Sequence, residues 1–294
     1  MIPDINHIRL DRWPIPKGSS IQLSVLRTDL IHPVISGNKW FKLQYYLADA
    51  INQGFKTVAS FGGAYSNHIV ALAAAAKLSG LKSIGIIRGK EDTSPTLQEA
   101  QQWDMKIIPI SREAYRNKKN IIGSIPDHEN IYWVDEGGYG VLGAKGASAI
   151  LSVTDCSKFS HILCACGTGT MIAGLILGSN ECQKIIGISV LKNNRQLEEN
   201  IAGLLPETMH NRIACIHDYH FGGYAKHPVQ LIDYMNDAYM RTQIPTDIVY
   251  TSKLFYAAED LIKVGYFGHN ANILIIHSGG LQGNRSLTKN TLCF

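Results

Sequence analysis

Along this chain, short runs of apolar and β-branched residues alternate with longer stretches of helical periodicity. From residue 57 onward the β-type runs are TVASF (57–61), SIGII (83–87), KIIPI (106–110) and IYWV (131–134), followed by HILCAC (161–166), KIIGISV (184–190) and ANILIIH (271–277). These runs are almost continuously apolar. A strand with one wet face alternates polar and apolar positions, whereas a strand covered on both faces by helices does not. The pattern therefore predicts an α/β protein with mostly parallel sheets covered by helices. Seven such strands exceed one compact sheet of usual size, and two lobes are expected. The glycine-rich segment DEGGYGVLGAKG (135–146) is the expected crossing between them. The alanine-rich segment IVALAAAAKLSG (69–80) reads as a tightly packed helix closed by Gly80. No internal repeat or low-complexity tract interrupts the pattern.

Composition narrows the reading only a little. The 294 residues are 45% hydrophobic and 18% charged, with a formal net charge of +4. That is the composition of a globular chain long enough to bury a substantial core. The positive charge is dispersed, so neither nucleic acid nor a membrane surface is an expected partner. The first residues, MIPDINHIRL, lack the features of a signal peptide, and the apolar stretch 161–178 is broken by Gly167, Thr168, Gly169 and Thr170. Six cysteines without a CxxC pair read as reduced core residues, and a cytoplasmic location is expected.

Three places carry candidate chemistry. In SGNKWFKL (36–43), Gly37 and Asn38 form a corner, and Lys39 and Lys42 follow three residues apart at the start of a helix, with Trp40 and Phe41 expected to pack in behind and shield Lys39. A lysine that must shed its proton to attack a carbonyl is desolvated and set near other positive charge; two solvated surface lysines are the plain alternative. In ASFGGAYSNH (59–68), a strand passes through Gly62 and Gly63 to a helix whose first turn holds Ser66, Asn67 and His68. Free N–H groups there favour an anion, although Ser66 or Asn67 would also serve simply as an N-cap. In CGTGT (166–170), strand, glycine-rich turn and helix make a phosphate cradle. A dinucleotide site would need an acidic residue after the next strand, where Leu191, Lys192 and Asn193 stand instead. The RGKE run (88–91) lacks the glycine and hydroxyl spacing of a Walker loop, and the scattered histidines offer no metal motif. HSGG (277–280), after the last strand, is either a turn or a further set of backbone donors.

Taken in order, SGNKWFKL, GGAYSNH, CGTGT, GGYA and VYTSKLFYA resemble the tryptophan-synthase-β-type pyridoxal phosphate (PLP) enzymes. The branch that matches is the one containing 1-aminocyclopropane-1-carboxylate (ACC) deaminase and D-cysteine desulfhydrase. The resemblance implies PLP as cofactor, held covalently by Lys39, with Lys42 a fixed positive charge facing its phosphate. It implies that Asn67 bonds the ring hydroxyl and that Gly167, Thr168, Gly169 and Thr170 bind the phosphate. Ser66, Asn67 and His68 would hold the substrate carboxylate, with Ser66 also assisting proton movement. Tyr224 and Tyr250 would be the active-site tyrosines, and Thr251 would meet the pyridine nitrogen where ACC deaminases carry a glutamate. A neutral Thr251 implies a weaker electron sink and favours expulsion of a leaving group from a small amino-acid substrate. D-cysteine going to pyruvate, ammonia and sulfide is the expected reaction, with ACC ring opening as the alternative; a non-catalytic PLP or phosphometabolite-binding protein and a nucleotide-binding oxidoreductase are the rivals of other classes. The resemblance also implies a homodimer, a larger PLP-binding domain (1–48 and 150–294) and a smaller substrate-side domain (49–149).

Overall fold

The computed structural model describes residues 3–15, 19–89 and 94–294; Lys90 and Glu91 of the RGKE run lie outside them. The strands are β1 (Leu10–Arg12), β2 (Gln22–Leu26), β3 (Thr57–Gly63), β4 (Lys82–Arg88) and β5 (Met105–Ile110), then β6 (Ile131–Val134), β7 (His161–Cys166), β8 (Lys184–Ser189), β9 (Cys215–Ile216) and β10 (Asn272–Ile276). The helices are α1 (Asn38–Asn52), α2 (Asn67–Leu78), α3 (Pro95–Gln102), α4 (Lys118–Ser124) and α5 (Val141–Ser148), then α6 (Thr170–Gly178), α7 (Leu197–Ala202), α8 (Val229–Thr242) and α9 (Thr251–Lys263). They build two sheets. One has six strands in the order β1-β2-β10-β7-β8-β9, parallel except for β1; the other has four parallel strands in the order β5-β4-β3-β6.

The apolar runs become strands because each strand feeds two cores. In β7, Ile162, Cys164 and Cys166 enter one cluster while Leu163 and Ala165 enter another. In β10, Leu274 and Ile276 face the first cluster, and Ile273 and Ile275 the second. Alternation in direction without alternation in polarity is what burial on both faces requires. The four-stranded sheet does the same with Val58 and Ile87 on one side and Phe61 and Ile86 on the other.

The glycine-rich crossing is more than a connector. After a short turn (Glu136–Gly138) it becomes α5, which packs between α1 and α6. A Cβ at Gly146 would overlap the Phe41 carbonyl of α1, and one at Gly174 of α6 would overlap Ala147 of α5. Glycines at these crossings let the backbones touch, so the helix carrying both lysines and the helix that follows the CGTGT loop are fixed relative to one another.

Two expectations need correction. Cys182 and Cys293 are exposed rather than in the core; all six cysteines are free thiols. Trp40 and Phe41 do not shield Lys39. Phe41 points into the core behind α1, and Trp40 packs at the junction of two cores, because on a helix the residues one and two after Lys39 face away from it. Among the described residues, no helix is long and apolar enough to cross a membrane.

Candidate active site

The C-terminal ends of the parallel strands meet at one cavity, where open α/β sheets place ligands. α1 starts at a corner that only glycine fits. Gly37 has φ +61, and a Cβ on it would overlap the Ser278 carbonyl, which accepts from the Asn38 N–H at 3.1 Å. HSGG is therefore part of the site: Ser278 and Gly279 line the cavity, and the Gly280 carbonyl accepts from Asn67 Nδ2 at 2.8 Å.

Lys39 and Lys42 both line this cavity. Lys39 Nζ donates to Asn38 Oδ1 at 3.1 Å. Desolvation lowers its pKa to about 8, and the Asp247 carboxylate works the other way. Lys42 is 4% exposed, and its Nζ lies 3.4 Å from the Gly137 carbonyl. Burial first, and then the Lys39 ammonium, pushes Lys42 well below the ordinary lysine range. Burial with no carboxylate partner disfavours the charged form of Lys42, so an anion such as a phosphate sharing the cavity would favour its ammonium. Burial is the larger cause for both lysines, and charge repulsion adds to it at Lys42.

Ser66 is both things the sequence allowed. It is the N-cap of α2, accepting from Ile69 N–H at 3.3 Å, and it lines the cleft that opens from the cavity. Asn67 lines cavity and cleft, and its Oδ1 is buried without a hydrogen-bond partner. His68 is 3% exposed and also lines the cleft; its Nε2 sits 2.8 Å from Ser60 Oγ, while Nδ1 has no partner among the described residues. Burial, then Lys39 and Lys42, push its pKa well below the usual value, so the ring is neutral.

At the other side, Gly167, Thr168 and Gly169 line the cavity at the start of α6. Gly169 takes φ +90, and a Cβ there would sit 2.7 Å from Ile201. Thr170 is fully buried and does not line the cavity; its hydroxyl pairs with that of Thr168 at 3.0 Å. Tyr250 lines both spaces, and Tyr224, 48% exposed, stands in the cleft wall. Burial raises both phenols, Tyr250 the more strongly.

Thr251 departs from expectation. It is fully buried and outside the cavity lining, and its hydroxyl donates to Asp247 Oδ1 at 2.8 Å. The reason is local. Asp247 caps the start of α9 by accepting from the N–H groups of Val249, Tyr250 and Thr251, and the hydroxyl completes that set. Asp247 is among the residues that sequence reasoning missed; an aspartate four before a helix start was the available signal. Lys253 is another. Buried within α9, it donates to the carbonyls of His220 at 2.9 Å and Gly223 at 2.7 Å and so ties down the loop carrying Tyr224.

Comparison with known proteins agrees with this geometry. A family model described as "Pyridoxal-phosphate dependent enzyme" matches residues 16–279. A Pyrococcus horikoshii protein named provisionally as a 1-aminocyclopropane-1-carboxylate deaminase is 31% identical over 279 residues, 88% of this chain and 84% of the relative. An Arabidopsis thaliana protein named "Bifunctional D-cysteine desulfhydrase/1-aminocyclopropane-1-carboxylate deaminase, mitochondrial" is 28% identical over 306 residues, 93% of this chain and 76% of the relative. The crystal structure of an ACC deaminase homologue superposes with a TM-score of 0.80 at 27% identity, covering 96% of this chain and 93% of that one.

Proposed function

Because this chain belongs to the pyridoxal-phosphate dependent enzymes, we propose that it deaminates a small amino acid by α,β-elimination, with D-cysteine going to pyruvate, ammonia and sulfide. The residues present fit the cofactor. Among the described residues, the buried Asn67 Oδ1 has no partner, the Gly167–Gly169 turn leaves the start of α6 open to a phosphate, and half-buried Lys39 and buried Lys42 share an inner cavity that no carboxylate lines. Lys39 would hold the cofactor covalently, and Asn67 would meet its ring hydroxyl. The turn from Gly167 to Thr170 would take its phosphate with Lys42. When bound, the cofactor supplies an electron sink for the charge left on the substrate α-carbon.

The observation that carries the choice of reaction is the absence of any carboxylate among the described residues lining the inner cavity; Glu136, in the wall of the cleft that opens from it, is engaged by Lys118. Asp247, whose charge reaches Lys39, is turned away and held by three N–H groups and the Thr251 hydroxyl. The neutral setting first read from Thr251 thus belongs to the cavity as a whole. A weak sink suits a reaction in which a leaving group carries the electrons off the β-carbon, as thiolate does. Lys39, with a pKa of about 8, is the base best matched to neutral pH for the α-proton. The raised phenols of Tyr224 and Tyr250 stay protonated and donate, suiting them to the departing group. N–H groups at the start of α2 and the neutral His68 would receive the substrate carboxylate, with the Ser66 hydroxyl hydrogen available for proton movement.

The test is a product assay on the purified holoenzyme with D-cysteine, L-cysteine and ACC side by side. Sulfide and pyruvate in equal amounts from D-cysteine support the proposal. Preferential formation of 2-oxobutanoate from ACC would replace it with the ring-opening reaction. The same reading takes the chain as a homodimer with the larger domain (1–48 and 150–294) holding the cofactor and 49–149 facing substrate; light scattering tests the first part and limited proteolysis the second.

A further inference from the structure

The cleft beside Lys39 does not end where a molecule the size of cysteine would. It encloses about 390 Å³ and continues into an outer cavity of about 860 Å³; Gly63, Tyr65, Arg88, Tyr224, Val249 and Gly283 line both. Three arginines line this outer space: Arg88, Arg112 and Arg116. Their placement follows from the topology. Arg88 ends β4 in register with Gly63 of β3, and Arg112 and Arg116 follow β5, the next strand along. All three therefore stand at the strand ends that build the active site.

Elsewhere, Arg9, Arg27, Arg241 and Arg285 each pair with an aspartate or glutamate, whereas Arg12, Arg195 and Arg212 do not among the described residues. Among the described residues, none of the three cavity arginines has such a pair. Arg88 lies over the Tyr115 ring at 5.6 Å, which aligns it without neutralising it. Tyr115 lines the same space and is 6% exposed; burial first, and then the Glu136 carboxylate that its hydroxyl faces, raise its pKa. Glu136, in the cleft wall, is engaged by Lys118 at 2.7 Å. A concave space lined by three guanidinium groups that have no carboxylate pair among the described residues suits an anion, and α-carboxylate binding does not account for it, since that group is assigned to the start of α2.

We infer that the preferred substrates are amino acids carrying a second anionic group, a phosphate, sulfonate or carboxylate at or beyond the β-carbon, received by Arg88, Arg112 and Arg116. This rests on the elimination reading and narrows it: D-cysteine fills the inner cleft, and the preferred members of the class extend a negative charge into the outer cavity. A charged substituent is also drawn toward the cleft from outside, an effect that weakens as salt is added.

O-phosphoserine and serine, which differ by the anionic group, are the probes, each as both enantiomers, with β-chloroalanine as a neutral substrate that has a good leaving group. Equilibrium binding of O-phosphoserine and serine to the holoenzyme is measured by calorimetry, and pyruvate release from all three by steady-state kinetics. The expected result is O-phosphoserine binding at least tenfold tighter than serine at low salt, a preference that collapses in Arg112→Gln/Arg116→Gln and is partly restored by the two Arg→Lys replacements. The kcat/KM ratio of O-phosphoserine to β-chloroalanine should fall in parallel. Equal binding of the two probes, or a preference unchanged in the double variant, overturns the inference even if β-chloroalanine is turned over. Absence of turnover with every substrate counts against the elimination reading instead, and the binding arm still decides the anion site.

Discussion

The two walls of the active-site cavity are made differently. The inner wall, from α1, α6 and the strand ends of the six-stranded sheet, is mostly backbone and buried side chains. Gly37, Gly146, Gly169 and Gly174 each stand where a Cβ would collide with a neighbour, and Lys42, Thr170 and Asp247 are almost wholly excluded from water. The outer wall, from the strand ends of the four-stranded sheet and the Tyr224 loop, is made of long exposed side chains, with Arg88, Arg112 and Arg116 at the surface and Tyr224 half exposed. A wall of packed backbone cannot change without moving its neighbours, whereas a wall of exposed side chains can exchange residues one at a time. On the proposed reading, cofactor chemistry therefore belongs to the fold, and substrate choice belongs to the rim.

This contrast is broken or sharpened by graded substitutions. Lys39→Ala has the largest expected effect, a loss of pyruvate release of ~10³-fold or more, since it would remove both the proposed covalent anchor and the proposed base; loss of the visible absorbance of the bound cofactor would report the same change. Gly174→Ala forces a methyl group into α5 and is expected to cost about 1–3 kcal/mol, read as a lower thermal midpoint; an unchanged midpoint would mean that the inner wall is less rigid than its packing implies. Tyr224→Phe, on the outer wall, is expected to lower kcat about tenfold, a fraction of a general-acid contribution, with the thermal midpoint unmoved.

The smallest effect is electrostatic. Lys39 and Lys253 titrate near 8 in the fold rather than at 10.5, both lowered chiefly by burial. A lowered lysine pKa means that the unfolded chain binds more protons between the two values, so stability of the cofactor-free protein should rise with pH from about 8 toward 10.5. Thermal midpoints across that range check the sign, and Lys39→Met should flatten the rise.

The same contrast explains what was legible in the sequence. β3 to β8 and β10 could be read because burial on both faces leaves a run with no polar breaks. β1, with its sequence Leu-Asp-Arg, and the two-residue β9 are short edge strands, and nothing in their composition separates them from loops. The inner wall was legible for a related reason: glycines and small hydroxyl residues at a strand-to-helix corner form a local pattern, and the Lys39, Asn67 and Gly167–Gly169 it singled out line one cavity, while Thr170 lies behind it. Side-chain direction was not legible. Thr251 was found at the right corner, yet its hydroxyl belongs to Asp247, a partner visible only once the helix cap is formed. The arginines of the outer wall come from two separate loops, and only the parallel pairing of β4 with β5 brings them to one cavity.

The most direct test of the central claim, that an inner cavity lined by no carboxylate among the described residues supports elimination through a leaving group, is the dependence of turnover on that group. A series of β-substituted D-alanines whose leaving groups span a wide range of basicity would be compared with ACC on the holoenzyme. The account predicts kcat/KM rising steeply as the leaving group becomes less basic, with ACC at the bottom of the series. A flat dependence, with ACC processed as fast as the best β-substituted substrate, would show that the cofactor is a strong sink here and would contradict it.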